Sequence, residues 1–383
     1  MTATAEFLQA PPGLKNVIVA DTQIGDVVGE QGYYHYRGRN AITLAEQCSF
    51  EQVWHWVVYG TLPAADSPEL RAFQATVGQL RVLPDSLVEW IAALARAGAT
   101  PLQVLRTALS ALSSQAGMRP LYDLAEPAQQ ADVLRLTALT PTILAAAWRV
   151  SQGLAPVPAN PALSHASDYL RMVSGTLPAP REARAIEQYL IATIDHGFNA
   201  STFTARVVAS TGSDVASCLV AAIGAFLGPL HGGAPDRALQ ALDEIGDIAH
   251  TADWARRQLV EGRKIMGFGH AVYRTHDPRA EMLKRIAAAY GDPLAARAEA
   301  LEAAIEQALA ELKPGRRLYA NVEFYAGVVM ALAGLAPALF TPTFCVARVV
   351  GWGANVLEQA QGGKIFRPSA RYVGPAADTA LAG

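Results

Sequence analysis

The stretch DPRAEMLKRIAAAYGDPLAARAEALEAAIEQALAELKPG, residues 277–315, decides the fold class. Asp277-Pro278 puts a capping residue before a proline at the first helical position, where the missing N–H costs nothing. Met282, Leu283, Ile286 and Tyr290 then recur on one helical face until Gly291. Asp292-Pro293 repeats the start signal. Leu294, Ala298, Leu301, Ile305, Leu309 and Leu312 follow at helical spacing, stopped by Pro314-Gly315. Both segments therefore read as amphipathic helices packed on a core.

The same signals recur outward from this stretch. Thr341-Pro342 opens a segment running towards Gly362-Gly363, and Pro235-Asp236 opens a shorter one through Leu239, Leu242 and Ile245. Residues 101–115, 131–150, 182–194 and 214–227 also carry helical periodicity, as does an apolar run from Val322 to Leu335. Strand character is confined to residues 16–28 and 31–37, which suggest a small N-terminal ribbon. The expectation is an all-α protein with little sheet. Residues 153–161 and 175–180, rich in Pro, Gly and Ala, read as surface connections.

The chain has 383 residues, 51% of them hydrophobic and 17% charged, enough to bury a large core in two or three domains. The formal net charge of −3, with no basic run, gives no reason to expect nucleic acid or an anionic membrane as a partner. An anionic substrate would need a local cluster of arginines. Cys48, Cys218 and Cys345 lack metal-ligand spacing and read as free thiols of a reducing cytoplasm. The N-terminal residues lack a basic stretch followed by an apolar one, so no secretion signal is expected. Residues 215–235 and 324–347 are uncharged. Gly228-Pro229 interrupts the first, and Pro337 and Pro342 the second, so both read as buried helices rather than membrane spans.

Three segments carry the chemistry: Gly-Pro-Leu-His-Gly-Gly at 228–233, Met-Gly-Phe-Gly-His-Ala-Val-Tyr-Arg-Thr-His-Asp-Pro-Arg at 266–279, and Asn-Val-Glu-Phe-Tyr-Ala-Gly at 321–327. They supply His231, His270 and Glu323. One carboxylate with two imidazoles suits removal of a proton from carbon and delivery of protons to oxygen. Glu323 has a second reading, as a first-turn carboxylate complementing a helix dipole. Its apolar neighbours favour a raised pKa, suited to a base near neutrality. Glycines beside His231 and His270 allow close approach of a ligand to the backbone. His196 lies in a polar cluster, residues 195–202, after an apolar helix. Arg348 sits on an apolar helix and needs either an internal carboxylate or an anionic ligand. Arg279 lies in the first turn of its helix, where the dipole disfavours a cation unless something negative lies alongside. With Arg367 these arginines would suit a dicarboxylate. Among the sequence patterns there is no His-x-x-x-His pair, Cys-x-x-Cys or Asp-rich loop, so no metal is expected, and no Gly-x-Gly-x-x-Gly suggests a dinucleotide.

The order of these segments resembles the citrate synthase family. Residues 32–38, Phe50-Glu51 and Gly60-Thr61-Leu62-Pro63 resemble its N-terminal pattern. Residues 195–203, 228–235, 265–279, 321–327 and 348–375 resemble its functional segments in sequence. The resemblance implies a cytoplasmic, all-α homodimer with two domains: a large one from residues 1–231 and 331–383, and a small one from 232–330. It implies a cleft in which His231, His270 and Glu323 are catalytic. Oxaloacetate would be held by His196, Arg279, Arg348 and Arg367, the last from the partner subunit. Residues 265–269 (Ile265, Met266, Gly267, Phe268, Gly269) would receive the adenine of coenzyme A, with Arg274 and Lys264 facing its phosphates. The implied reaction is condensation of acetyl-CoA with oxaloacetate and hydrolysis to citrate in the tricarboxylic acid cycle. No metal or redox cofactor is implied. Propionyl-CoA, giving 2-methylcitrate, is the alternative. A weakly active or regulatory CoA-binding paralogue is a third reading, because the family usually has Asp where this chain has Glu323. The wording Asn-Val-Glu-Phe, with residues 367–375, resembles a bacterial second-citrate-synthase subgroup in which Glu is normal. Three further departures stand at Thr100-Pro101-Leu102, Ala271 and Asn355, where many members have His-Pro-Met, Arg and His.

Overall fold

In the computed structural model, residues 7–232, 241, 244–270, 272–313, 315, 317–362 and 364–375 are described. They form fifteen α-helices: α1 (Ala41–Gln47), α2 (Phe50–Tyr59), α3 (Pro68–Leu80), α4 (Asp85–Arg96), α5 (Pro101–Ala116), α6 (Glu126–Ser151), α7 (His165–Ser174), α8 (Pro180–Thr193), α9 (Ala200–Ala209), α10 (Val215–Phe226), α11 (Thr251–Val260), α12 (Pro278–Ala288), α13 (Pro293–Leu312), α14 (Val322–Leu332) and α15 (Phe340–Gly362). The sheet is small: β1 (Gly25–Val28), β2 (Tyr33–Tyr36) and β3 (Arg39–Asn40) pair antiparallel in that order.

The Asp-Pro starts act as expected. Asp277 and Asp292 cap α12 and α13 with their carboxylates, and Pro278 and Pro293 occupy the first turn. The segment assigned to Thr341-Pro342 begins one residue earlier, at Phe340, after a 3₁₀ turn over Pro337–Leu339. Pro342 sits in the first turn, where an absent N–H leaves no bond unmade. The apolar run read as Val322 to Leu335 ends at Leu332, and the chain turns by 120° into Pro337–Gly362. The start assigned to Pro235-Asp236 lies outside the described residues.

Helix α15 organises the core. Residues from Phe340 to Leu357 are almost all buried, and it packs against α2, α6, α8, α9 and α10. Only small residues permit this closeness: a Cβ on Gly351 would overlap the carbonyl oxygen of Ile194, and one on Gly353 would lie 2.5 Å from Val133. Among the described residues, α6 alone is long and apolar enough to cross a membrane. In its most apolar 18-residue window 78% is buried within the fold, as expected of a core helix. Cys48, Cys218 and Cys345 are free, the last two buried.

The ribbon positions a loop. Tyr34 and Tyr36 on β2 are buried and donate their hydroxyls, at 2.9 Å each, to Ala192 O and Ile191 O at the end of α8. Asn355 on α15 donates to Asp195 Oδ1 at 3.2 Å, and Arg348 Nε donates to Thr193 O at 2.9 Å. The chain between α8 and α9, carrying His196, is thereby held between ribbon and core. A second tie links loop 265–277 to the start of α14. Asn321 N donates to Gly267 O at 2.8 Å, Gly269 N to Tyr319 O at 2.8 Å, and Asn321 Nδ2 to Gly269 O at 2.9 Å.

Candidate active site

His196, His231, His270, Arg279, Glu323 and Arg348 line one cleft of about 560 Å³, together with Phe344 and Asn321. They come from six places between residues 196 and 348, and only the folded chain joins them.

Glu323 lies in the first turn of α14. Its backbone N–H is taken by the Asn321 cap at 3.0 Å. Burial raises its carboxyl to about 7, against the lowering pull of Arg279 and with a further push from Asp277. Among the described residues no Lys, Arg or His lies within ion-pair distance of it. The helix-dipole reading accounts for its position but not for a carboxyl that titrates near neutrality.

His231 is set by the start of α9. Ser201 faces its Nε2 with both hydroxyl (2.8 Å) and backbone N–H (3.3 Å). A backbone N–H can only donate, so Nε2 accepts and the ring proton rests on Nδ1. Burial, then Arg348, lowers His231 to about 4, so the ring is neutral near pH 7. His270 follows the opposite pattern. Its Nδ1 accepts backbone N–H groups from Val272 (3.0 Å) and Tyr273 (3.1 Å), leaving the proton on Nε2. Burial and Arg279 lower it to about 4 as well. Nε2–H of His270 and an N–H of Arg279 stand 3.3 Å apart. Two donors so placed have no bond to each other and present a common seat for a substrate oxygen.

The two arginines differ. Arg348 is 2% exposed, bonds Thr193 O and lies over the Phe344 ring at 4.6 Å. Among the described residues no carboxylate comes within 4.0 Å of it, and burial lowers its pKa. An anionic ligand is the partner this leaves. Arg279 corrects the expectation that a ligand must offset it. Asp277 grips it bidentately, Nε at 2.9 Å and a terminal N–H at 2.8 Å, and also accepts the N–H of Val322 at 3.0 Å. Burial opposes the charge on both groups, yet pairing holds Asp277 below the usual carboxylate range. Arg279 is thus fixed by an internal partner while one edge still lines the cleft. The Asp277 role was visible in sequence only as a cap, because its second use depends on α14.

The remaining expected residues lie outside this cleft. Lys264, Ile265, Phe268 and Gly269 line an adjoining cavity of about 460 Å³ with Arg263, Lys313, Leu309 and Leu318. Arg263 and Lys313 extend its basic rim and escaped sequence reading. Met266 and Gly267 do not line it, and the Gly267 carbonyl is committed to Asn321. Arg274 borders a third cavity of about 300 Å³ and stands 3.9 Å from Glu30. Arg367 is exposed and does not reach the cleft of its own chain. Asn355 accepts from Arg206 Nη1 at 3.0 Å in the core, and Thr100 caps α5. Ala271 lies outside the described residues. Among those described, no three His, Cys, Asp or Glu side chains converge as metal ligands.

A neutral-range carboxylate, two neutral imidazoles with opposed tautomers and a buried guanidinium without a described carboxylate partner give this helical fold the groups for proton transfer at carbon beside a bound anion. The family model "Citrate synthase, C-terminal domain" matches residues 13–369. The citrate synthase of Deinococcus radiodurans is 37% identical over 367 residues, spanning 94% of this chain and 95% of that one. The 2-methylcitrate synthase of Mycobacterium tuberculosis is 38% identical over 363 residues, spanning 94% and 90%. The structure of the Thermoplasma acidophilum citrate synthase, solved as a ternary complex with carboxymethyl coenzyme A and oxaloacetate, superposes with a TM-score of 0.87 at 28% identity, covering 96% and 97%. The chain belongs to the citrate synthase family.

Proposed function

We propose that the chain condenses acetyl-CoA with oxaloacetate and hydrolyses the product to citrate and CoA. The observation that carries this reading is the Glu323 carboxyl near 7 in one cleft with His231, His270 and Arg348. Glu323 takes a proton from the thioester methyl. Nδ1–H of His231 bonds the carbonyl oxygen as it becomes an enolate, where charge appears only late in the step. The enolate carbon attacks the oxaloacetate carbonyl carbon, Nε2–H of His270 gives its proton to the resulting alkoxide, and the proton taken up by Glu323 replaces it by way of water. Water then adds to the thioester, the C–S bond breaks, and CoA leaves as the thiol.

Arg348, Arg279 and His196 hold the dicarboxylate, with Arg367 contributed by the partner of a homodimer. Loop 265–269, Lys264 and Arg274 receive coenzyme A, and the basic rim suits its phosphates. The site closes between a large domain (1–231 and 331–383) and a small one (232–330). Three free thiols support a reducing, cytoplasmic setting. The reading needs no metal or redox cofactor and fits an entry step of the tricarboxylic acid cycle.

Similarity to a 2-methylcitrate synthase favours a second reading, with propionyl-CoA as donor. One methylene in an apolar pocket is worth about 1–3 kcal/mol, a preference of roughly 10- to 200-fold for whichever donor the pocket fits. A thiol-release assay with oxaloacetate, comparing acetyl-CoA and propionyl-CoA, tests both. The expected result is a higher kcat/KM for acetyl-CoA. The reverse order establishes the second reading. No release with either defeats both and returns the chain to a regulatory role.

A further inference from the structure

Tyr273 is a group that the family segments did not single out, yet it touches two of the three cleft histidines. It is 4% exposed. Its hydroxyl lies 2.9 Å from Nε2 of His196. Its ring centroid is 4.6 Å from that of His270 and 5.4 Å from that of His196. Its backbone N–H is one of the two that fix Nδ1 of His270, at 3.1 Å.

The direction of the hydroxyl bond follows from charge. Burial keeps the phenol above its usual range, so it carries its proton and can donate. His196 is pushed well below its usual value by burial, then by Arg279, His270 and Arg348, so it is neutral and keeps one bare nitrogen. Among the described residues no other acceptor is recorded for the Tyr273 hydroxyl. The phenol therefore donates to Nε2, which leaves the imidazole proton on Nδ1. This bond also joins loop 272–277 to the chain between α8 and α9.

We infer that Tyr273 is a positioning residue for the oxaloacetate side of the cleft: its hydroxyl fixes the tautomer and ring orientation of His196, while its backbone fixes His270. It acts through the histidines and does not touch the reacting atoms. This inference rests on the proposed function only for its kinetic arm.

Tyr273→Phe removes the hydroxyl and keeps the ring, whereas Tyr273→Leu removes both. For Tyr273→Phe the expected result is a KM for oxaloacetate raised roughly tenfold, the scale of one lost buried hydrogen bond, with kcat and the KM for acyl-CoA within about twofold of the parent. A Tyr273→Phe protein with normal kinetics beside an impaired Tyr273→Leu protein would mean that only ring packing matters, and overturns the inference. A fall in kcat at unchanged KM for oxaloacetate overturns it too. The parent protein supplies a separate arm that needs neither turnover nor a Tyr273 variant. In a long-range ¹H–¹⁵N spectrum assigned through His196→Asn, His196 is expected as the Nδ1–H tautomer, and the Nε2–H tautomer rejects the inference. If the parent releases no thiol, the proposed reaction fails while the tautomer measurement still decides this point.

Discussion

Glu323 illustrates how one residue trades stability for chemistry. Burial lifts its carboxyl from 4.5 to about 7. The fold therefore favours the protonated form. That advantage is complete below pH 4.5, is lost as pH rises towards 7, and stays lost above it. Activity runs the other way, because only the carboxylate accepts a proton. With His231 and His270 neutral down to about 4, the acid limb of kcat/KM is expected to follow Glu323 if it is the base. Initial rates across pH 5–9 should fall about tenfold per unit below roughly pH 7. A limb near 4.5 would assign the base elsewhere. Glu323→Gln should lose about 100-fold or more in rate yet melt roughly 2 °C higher at pH 8, with no gain at pH 4.5. Glu323→Asp shortens the reach by about 1.5 Å and should also cost rate, on the order of 100-fold, since 1 Å of misplacement can cost that much. A faster Asp variant would mean a site still shaped for the shorter side chain.

At the scale of elements, the site depends on close helix contacts. Gly351 on α15 lets the helix lie directly against Ile194, just before Asp195 and His196. Gly351→Ala must push that backbone away. It should cost about 1–3 kcal/mol in denaturant unfolding and raise the KM for oxaloacetate, because His196 moves with the loop. Unchanged stability and KM together would show that the loop is set by the ribbon alone. The helices with Asp-Pro or Thr-Pro starts were legible in sequence because capping is local. Helices α1 to α4, α7, α9 and α11 were not. In α2 the buried positions include Glu51 and Gln52, which blur the apolar stripe. In α7 the buried face includes His165 and Asp168 for the same reason.

For the whole molecule, Arg367 links the site to assembly. It is exposed on a C-terminal segment that does not reach the cleft of its own chain. If it serves the partner's cleft in a homodimer, Arg367→Ala and Glu323→Ala homodimers should each be inactive. Mixing them should restore activity, because each hybrid then holds one cleft with both residues intact. Hybrids verified by mass, yet no more active than the parents, would remove Arg367 from the shared site.

The sequence by itself determined the fold class and the family resemblance, and it singled out His231, His270 and Glu323, which the fold brings into one cleft. Those readings rest on local causes: caps, helical spacing, and titratable residues among glycines. Tertiary structure alone decided the opposed tautomers of the two histidines, the pairing of Arg279 with Asp277, the separation of Arg348 from every described carboxylate and the contact of Tyr273 with His196. Each depends on a partner far away in the chain: Ser201 for His231, Val322 for Asp277, Thr193 for Arg348 and His196 for Tyr273. A hydrogen bond or a desolvation penalty is set within a few ångströms of space, and residue spacing along a chain does not specify which distant groups will occupy it.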